Sequence, residues 1–321
     1  HEEPYTSTLQ QMGIEVLYGQ EYLTGIWDWL VKNGKDIHVA YLNRPHIATK
    51  YVDFIKEHTD IKMIYYGHDL HFMREFREYE LTGDVKKRQE SEYWKSIEFS
   101  LFHKVAVSYY PSYVEEEAIH AVDETIPVKA ITAYVYEEFL QNLNKDFAKR
   151  EGLLFVGGFA HPPNADAVLW FAKEVFPKIR EQIKVNFYIV GSKVTDEIKA
   201  LEQPGNGIIV KGFVSEEELA DLYRNCRIVV VPLRYGAGVK GKVVEAIYNG
   251  APIVTTSVGS EGIPDVEKVL LVKDQPDEFA ETVVELYKDE KRLEDLAEKT
   301  QVYIREHFSI DAAWDVDRKS T

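Results

Sequence analysis

The sequence predicts an α/β chain built as two Rossmann-like units, each a parallel sheet with flanking helices. Three observations predict it. Short β-branched and aromatic runs alternate with longer helical patterns along the whole chain, which implies βαβ units and parallel strands. The 321 residues are about twice a ~150-residue domain, enough for two separate cores. A polar connection at residues 138–150, EFLQNLNKDFAKR, then interrupts the alternation before Gly152.

In the first half the spacing predicts strands at 14–19 (IEVLYG), 37–42 (IHVAYL), 62–67 (KMIYYG), 104–110 (KVAVSYY) and 128–135 (VKAITAYV). A helix is expected from Arg44 to Glu57, where Pro45 suits a first turn because its missing N–H would be unpaired there anyway. A long polar helix is expected over 75–102. The second half predicts strands LLFVGG (153–158), NFYIVGS (186–192), GIIVKG (207–212), RIVVVPL (227–233), APIVTTS (251–257) and VLLVKD (269–274). Such continuous apolar runs suit strands buried on both faces. The expected divisions are 1–148, 149–308 and a tail, 309–321, that crosses back to the first unit. A Rossmann-like unit normally opens on a strand and tight turn, whereas this chain runs through polar residues before Ile14. The reading is that the opening strand lies upstream, or that the chain is a piece of a longer polypeptide.

Composition removes several classes of function. A hydrophobic content of 45% with 29% charged residues is that of a folded globular chain rather than a disordered one. The net charge of −16 opposes nucleic-acid binding, which needs a basic face, and adsorption to an anionic membrane through charge alone. With Cys226 the only cysteine, an intrachain disulfide and a thiolate metal cluster are excluded. No apolar run approaches the ~20 residues of a membrane-spanning helix, and HEEPYTSTLQ has no signal-peptide pattern. A cytoplasmic location is expected, peripheral contact with a membrane glycan-assembly complex remaining open.

The chemistry concentrates between Arg227 and Gly262. A buried strand there runs into a loop with Gly236, Gly238 and Gly241, which opens a helix. Unpaired amides and the positive helix end converge in such a loop and form an anion cradle. Lys240 and Lys242 add charge, and Glu245 places a carboxylate one turn into the helix. This suits a sugar nucleotide: amides and lysines for the diphosphate, the carboxylate for ribose hydroxyls. The loop is neither of two standard phosphate motifs. The next strand lacks a terminal acidic residue for a dinucleotide ribose, and no GK[ST] follows the glycines.

Residues 152–264 resemble the donor-binding domain of family 4 (group 1) retaining glycosyltransferases, whose two Rossmann domains form the GT-B fold. The resemblance is carried, in order, by GLLFVGGFAHPPNADAVLWF, FYIVGS, GFVSEEELADLYRNCRIVVVPL, GAGVKGKVVEAIYNGAPIVTT and GSEGI. It implies a nucleoside-diphosphate sugar as co-substrate, no separate cofactor, and retention of configuration. The family pairs two glutamates eight residues apart around this loop. Glu245 matches the second, on the ribose, while Ala237 stands in place of the first, which puts handling of the donor sugar in doubt.

Polar groups elsewhere fit the same reading. The strand ending at Gly67 leads directly into His68, Asp69, His71 and Arg74, and ligands of open α/β sheets bind at the carboxyl ends of strands. His68 or Asp69 matches the place where the resembling family sets a group beside the transferred sugar; the alternative is an Asp capping the next helix with His as a surface neighbour. Arg44, His71 and Arg74 are candidates for the acceptor side or a phosphate. Gly158 follows the first strand of the second unit, where no Arg or Lys is at hand, so the loop lysines carry the diphosphate charge. Ser260 and Glu261 either line the sugar pocket or, for Glu261, cap the next helix. A metal site is not expected, because the D-x-D at Asp315–Asp317 sits in the extreme tail.

The sequence thus reads as a metal-independent glycosyltransferase. It moves a sugar from a nucleotide sugar to a glycan or lipid-linked glycan, in surface-polysaccharide or glycan assembly. Two alternatives stay open: a GT-B sugar-nucleotide epimerase, and a non-catalytic nucleotide-binding module joined to other domains of a larger synthase.

Overall fold

The computed structural model describes residues 4–319. Residues 1–3 and 320–321, the extremes of the expected first unit and tail, lie outside the described residues, as do the side chains of Asp315 and Asp317. Among the described residues the β-branched runs fold into ten strands: β1 Val39–Asn43, β2 Lys62–Tyr66, β3 Val107–Tyr110, β4 Val128–Ala130, β5 Leu153–Val156, β6 Phe187–Val190, β7 Ile208–Gly212, β8 Ile228–Val231, β9 Ile253–Thr255 and β10 Leu270–Val272. They make two sheets, ordered β1-β2-β3-β4 and β10-β9-β8-β5-β6-β7. Every pairing between them is parallel.

Burial explains the larger sheet. Leu153, Leu154, Phe155, Ile228, Val229, Val230, Ile253 and Val254 are all essentially inaccessible, as expected for strands covered on both faces. Strand order reverses beside β5, which has β8 on one side and β6 on the other. The chain leaving β5 and β8 therefore opens a crevice at their carboxyl ends. That is where Gly157–Gly158 and the glycine loop emerge.

Three expected elements differ. Residues 14–18 form no strand; the chain is irregular there between Gly13 (φ 82) and Gly19 (φ 104), and β1 pairs only with β2. An apolar run needs a partner edge to become a strand, and Ile14–Tyr18 meets none among the described residues. The next segment instead forms the helix Gln20–Asn33, whose Trp27 packs on Tyr51 and Phe54 at ring separations of 5.3 and 4.8 Å. The polar helix is two helices, His71–Thr82 and Val85–Phe102. Gly83 ends the first in the left-handed region (φ 71), and the Asp84 carboxylate accepts the Lys86 N–H to start the second. The run from Val128 stops at Ala130 as a strand, because Tyr134 and Tyr136 leave the sheet for the other unit. There Tyr136 stacks on Tyr248 at 4.2 Å and its N–H reaches the Phe308 carbonyl at 2.8 Å.

Glu98 ties this helical hairpin to the strand ends. Fully buried, it accepts the N–H of His71 at 2.9 Å and of Phe72 at 3.1 Å, two donors that a helix start leaves unpaired. Glu98→Ala is expected to destabilise the chain by about 2 kcal/mol, the size of a lost hydrogen bond to a charged group. A denaturant midpoint equal to that of the parent chain would contradict this role.

Cys226 is buried as a core residue, its thiol pushed up to about 11 by burial. After the helix Glu290–Phe308 the chain makes an isolated parallel bridge from Ser309 to Tyr136. The helix Ile310–Lys319 then sets Ile310, Ala313 and Trp314 along a groove that Tyr41, Tyr66 and Tyr109 also line. Among the described residues no helix is long and apolar enough to cross a membrane.

Candidate functional site

Parallel pairing aligns the ends of β1 and β2, with Asn43 opposite Tyr66, and the residues just beyond them meet. His68 Nε2 lies 2.8 Å from the Asn43 amide oxygen. That oxygen only accepts, so Nε2 carries the proton and Nδ1 of the neutral ring is left as an acceptor. Burial lowers the imidazole pKa and the nearby Arg44 adds to this, against an opposing pull from Asp69. Asp69 is ion-paired with Arg74, one turn into the following helix. Arg44 has a left-handed backbone (φ 61) at the start of Pro45–His58, a conformation uncommon for a side-chain-bearing residue.

The other wall comes from β8. Beyond Leu233 the glycine loop runs to the helix Gly241–Tyr248. Gly238 takes φ 75, and a Cβ there would sit 2.6 Å from the His68 carbonyl oxygen, so glycine is required for the two walls to touch. Lys240 donates to the Gly238 carbonyl and stands 3.8 Å from Glu261. Lys242 donates to the Asn164 side-chain oxygen and lies 5.2 Å from the Phe155 ring centre. Burial lowers the pKa of both amines. That of Lys242, which also feels Lys240, falls to about 7.

Between the walls lies a cavity of about 430 Å³. Arg44, His68, Asp69, Arg74, Gly236, Lys240, Gly241 and Lys242, scattered through the sequence, all line it. So do His161 and Asn164, at the end of β5. His161 keeps an open face, yet desolvation in the cleft and the neighbouring Arg74, Lys242 and Lys240 lower its pKa to about 4. The lining holds four Lys or Arg side chains against one carboxylate, in a chain of net charge −16. This local reversal of sign favours an anionic ligand.

Six predicted residues lie outside this lining, Gly238 among them because it abuts His68 instead. Gly158 borders it, its carbonyl accepting from Asn164 at 2.7 Å. His71 turns inward toward Glu98 (3.4 Å) and packs on Trp94. The Ser260 hydroxyl is spent on the Thr256 and Ser257 carbonyls. Glu245 is half-buried one turn below Gly241, with Tyr223, Tyr136 and Tyr134 around it, and burial raises its pKa. Glu261 receives Arg77 through both oxygens, at 2.8 and 2.7 Å.

Arg77 and Glu115 were not singled out by the sequence, yet both reach the loop from the four-stranded unit. Arg77 also donates to the Gly236 carbonyl at 2.6 Å. Glu115, fully buried, accepts the Gly238 N–H at 2.9 Å through one oxygen and the Ser112 hydroxyl at 2.6 Å through the other. Burial raises its pKa, against the opposing pull of Ser112 and Lys240. One loop amide expected for a ligand is thus already engaged. The available signal was S-x-x-E, which reads as a local capping box. Ser112 does cap its helix, accepting the Val114 N–H, but Glu115 faces across the cleft.

Comparison with known proteins bears on the fold and on residues 150–289. Residues 150–289 match the family described as "Glycosyl transferases group 1". An uncharacterized 44.6 kDa protein in the cps region of Klebsiella pneumoniae is 29% identical over 184 residues, covering 54% of this chain and 45% of its own. The chain therefore spans about half the length of that relative. Anabaena HepE, solved with UDP and glucose, superposes with a TM-score of 0.72 at 14% identity, covering 100% of this chain and 88% of that one. S. aureus TarM, solved with UDP, gives 0.70 at 14% identity over 91% of this chain and 57% of its own. Residues 150–289 are accordingly a group 1 glycosyltransferase domain, set in a chain whose two parallel sheets have the GT-B arrangement.

Proposed function

We propose that the chain transfers a sugar from a nucleoside-diphosphate sugar to a hydroxyl of a glycan or lipid-linked glycan, with retention of configuration and without a metal. The observation that carries this reading is the cationic cavity at the opening of the helix Gly241–Tyr248, between the two sheets. As the glycosidic bond breaks, negative charge grows on the departing β-phosphate. Lys240, Lys242 and the helix end meet that charge, an electrostatic role requiring no reorganisation. Glu245 holds the ribose. His68 and Asp69, on the opposite wall, act on the transferred sugar or the acceptor. UDP in the HepE and TarM structures supports a uridine donor, and the cps-region relative supports a surface polysaccharide as product.

The test is a panel of nucleotide sugars, with release of nucleoside diphosphate followed with and without glycan acceptors and with excess EDTA. Acceptor-dependent release that EDTA leaves unchanged is expected. Donor conversion without an acceptor would indicate an epimerase, and binding with no turnover a non-catalytic module. Activity lost to EDTA and restored by Mg²⁺ or Mn²⁺ would overturn the metal-free assignment.

Lys242 adds a pH signature. Burial and the neighbouring Lys240 bring its amine down to about 7, and a bound diphosphate favours the charged form and raises that value. Above pH 7, binding therefore takes up a proton, and affinity falls as pH rises toward 9. Calorimetry at pH 8 in buffers of different ionisation enthalpy measures the uptake directly. Lys242→Met should abolish it.

A further inference from the structure

We propose that Arg77 and Glu115 are positioning residues that grip the glycine loop on either side of Ala237 and hold it in the shape that receives a diphosphate. The inference rests on the donor-binding role proposed above and adds the means by which the opposite unit sets it.

A loop with glycines at 236, 238 and 241 has many accessible backbone states, and ordering it costs more conformational entropy than ordering other residues. Something must select one state. On the Gly236 side the selector is Arg77, whose Nη1 binds the carbonyl of Gly236 while the same guanidinium holds Glu261. On the Gly238 side it is Glu115, whose Oε1 takes the N–H. Both anchors are themselves fixed. Glu115 is braced by the Ser112 hydroxyl at a helix start, and Arg77 sits in the helix His71–Thr82, whose first amides Glu98 holds.

Neither Arg77 nor Glu115 lines the cavity, so neither is placed to touch the ligand. Their contacts end on backbone atoms two residues apart, fixing one N–H and one C=O of the segment that bends toward Lys240. Burying Glu115 completely is costly unless each oxygen has a partner, and one of those partners exists only while the two units are together. The loop therefore takes its receiving shape in the closed arrangement, and nucleotide affinity depends on side chains of the unit that does not hold the nucleotide.

The experiment measures UDP binding by calorimetry on the full chain and on Arg77→Ala, Glu115→Ala, Glu115→Gln and the double alanine variant. Each single alanine change should raise the Kd roughly tenfold or more, the scale of a lost charge-assisted hydrogen bond. Glu115→Gln keeps an acceptor oxygen for the Gly238 N–H and should return the Kd to within about threefold of the parent, a rescue that a bulk stability effect would not produce. The double variant should lose less than the sum of the singles, because both act on one loop. Folded variants that bind UDP as the parent does would overturn the proposal. A parent chain that binds no nucleoside diphosphate would instead overturn the donor-binding reading itself. If Glu115→Ala fails to fold, Arg77→Ala, at a side chain 25% exposed, decides the matter.

Discussion

His68→Ala is expected to lower transfer turnover by about 10²-fold or more, the usual contribution of a positioned acid–base group, with nucleoside-diphosphate affinity nearly unchanged. The imidazole stands on the wall opposite the lysines, buried enough for its pKa to be lowered and oriented by Asn43. A neutral ring with a free acceptor nitrogen suits contact with a sugar or acceptor hydroxyl, and it contributes no charge to diphosphate binding. A loss confined to turnover marks an interaction made chiefly in the transition state. Asp69→Ala should lower turnover as well but differ in binding. It removes the lining's one carboxylate and one of Arg74's two carboxylate partners, Glu75 remaining, so the cleft becomes more positive and diphosphate affinity rises. Steady-state kinetics with an identified acceptor, paired with calorimetry, separates the two. Full transfer activity in both variants would make these residues structural.

Glu245→Ala is the second large effect, expected to weaken nucleoside-diphosphate binding by roughly 1.5 to 3 kcal/mol, the range for a hydrogen bond to a charged group. The carboxylate is half-buried one turn below Gly241, set among Tyr134, Tyr136 and Tyr223. The tyrosines do not supply a second anion for ribose hydroxyls. Turnover at saturating donor should change less than affinity does. Calorimetry showing parental affinity in a folded Glu245→Ala chain would remove the residue from the site.

The sequence made the architecture legible wherever burial dictates it. Runs such as IVVV at 228–231, inaccessible on both faces, have little choice but a central parallel strand, and the inner strands of the larger sheet are legible for that reason. Ile14–Tyr18 departs from its expected strand because an apolar run reports compatibility with a sheet edge, not the presence of one. The break at Gly83 was written in its glycine and the capping Asp84, but the surrounding helical pattern masked it. In the candidate site, local signals identified what local structure builds: strand ends, the glycine loop and its lysines. Glu115 and Arg77 escaped because their partners lie 123 and 184 residues away. Their near neighbours offer complete local explanations, a helix cap for one and a solvated helix face for the other.

The approach of Gly238 to His68 has a further consequence. The carbon atom that Gly238 lacks would stand 2.6 Å from a backbone oxygen of the opposite wall, so at this point the width of the slit is fixed where main chain meets main chain. Side chains yield by changing rotamer; abutting backbones do not. The closed position is therefore a hard stop, and the reach from His68 to the lysines is a constant of the fold rather than something each bound sugar must adjust.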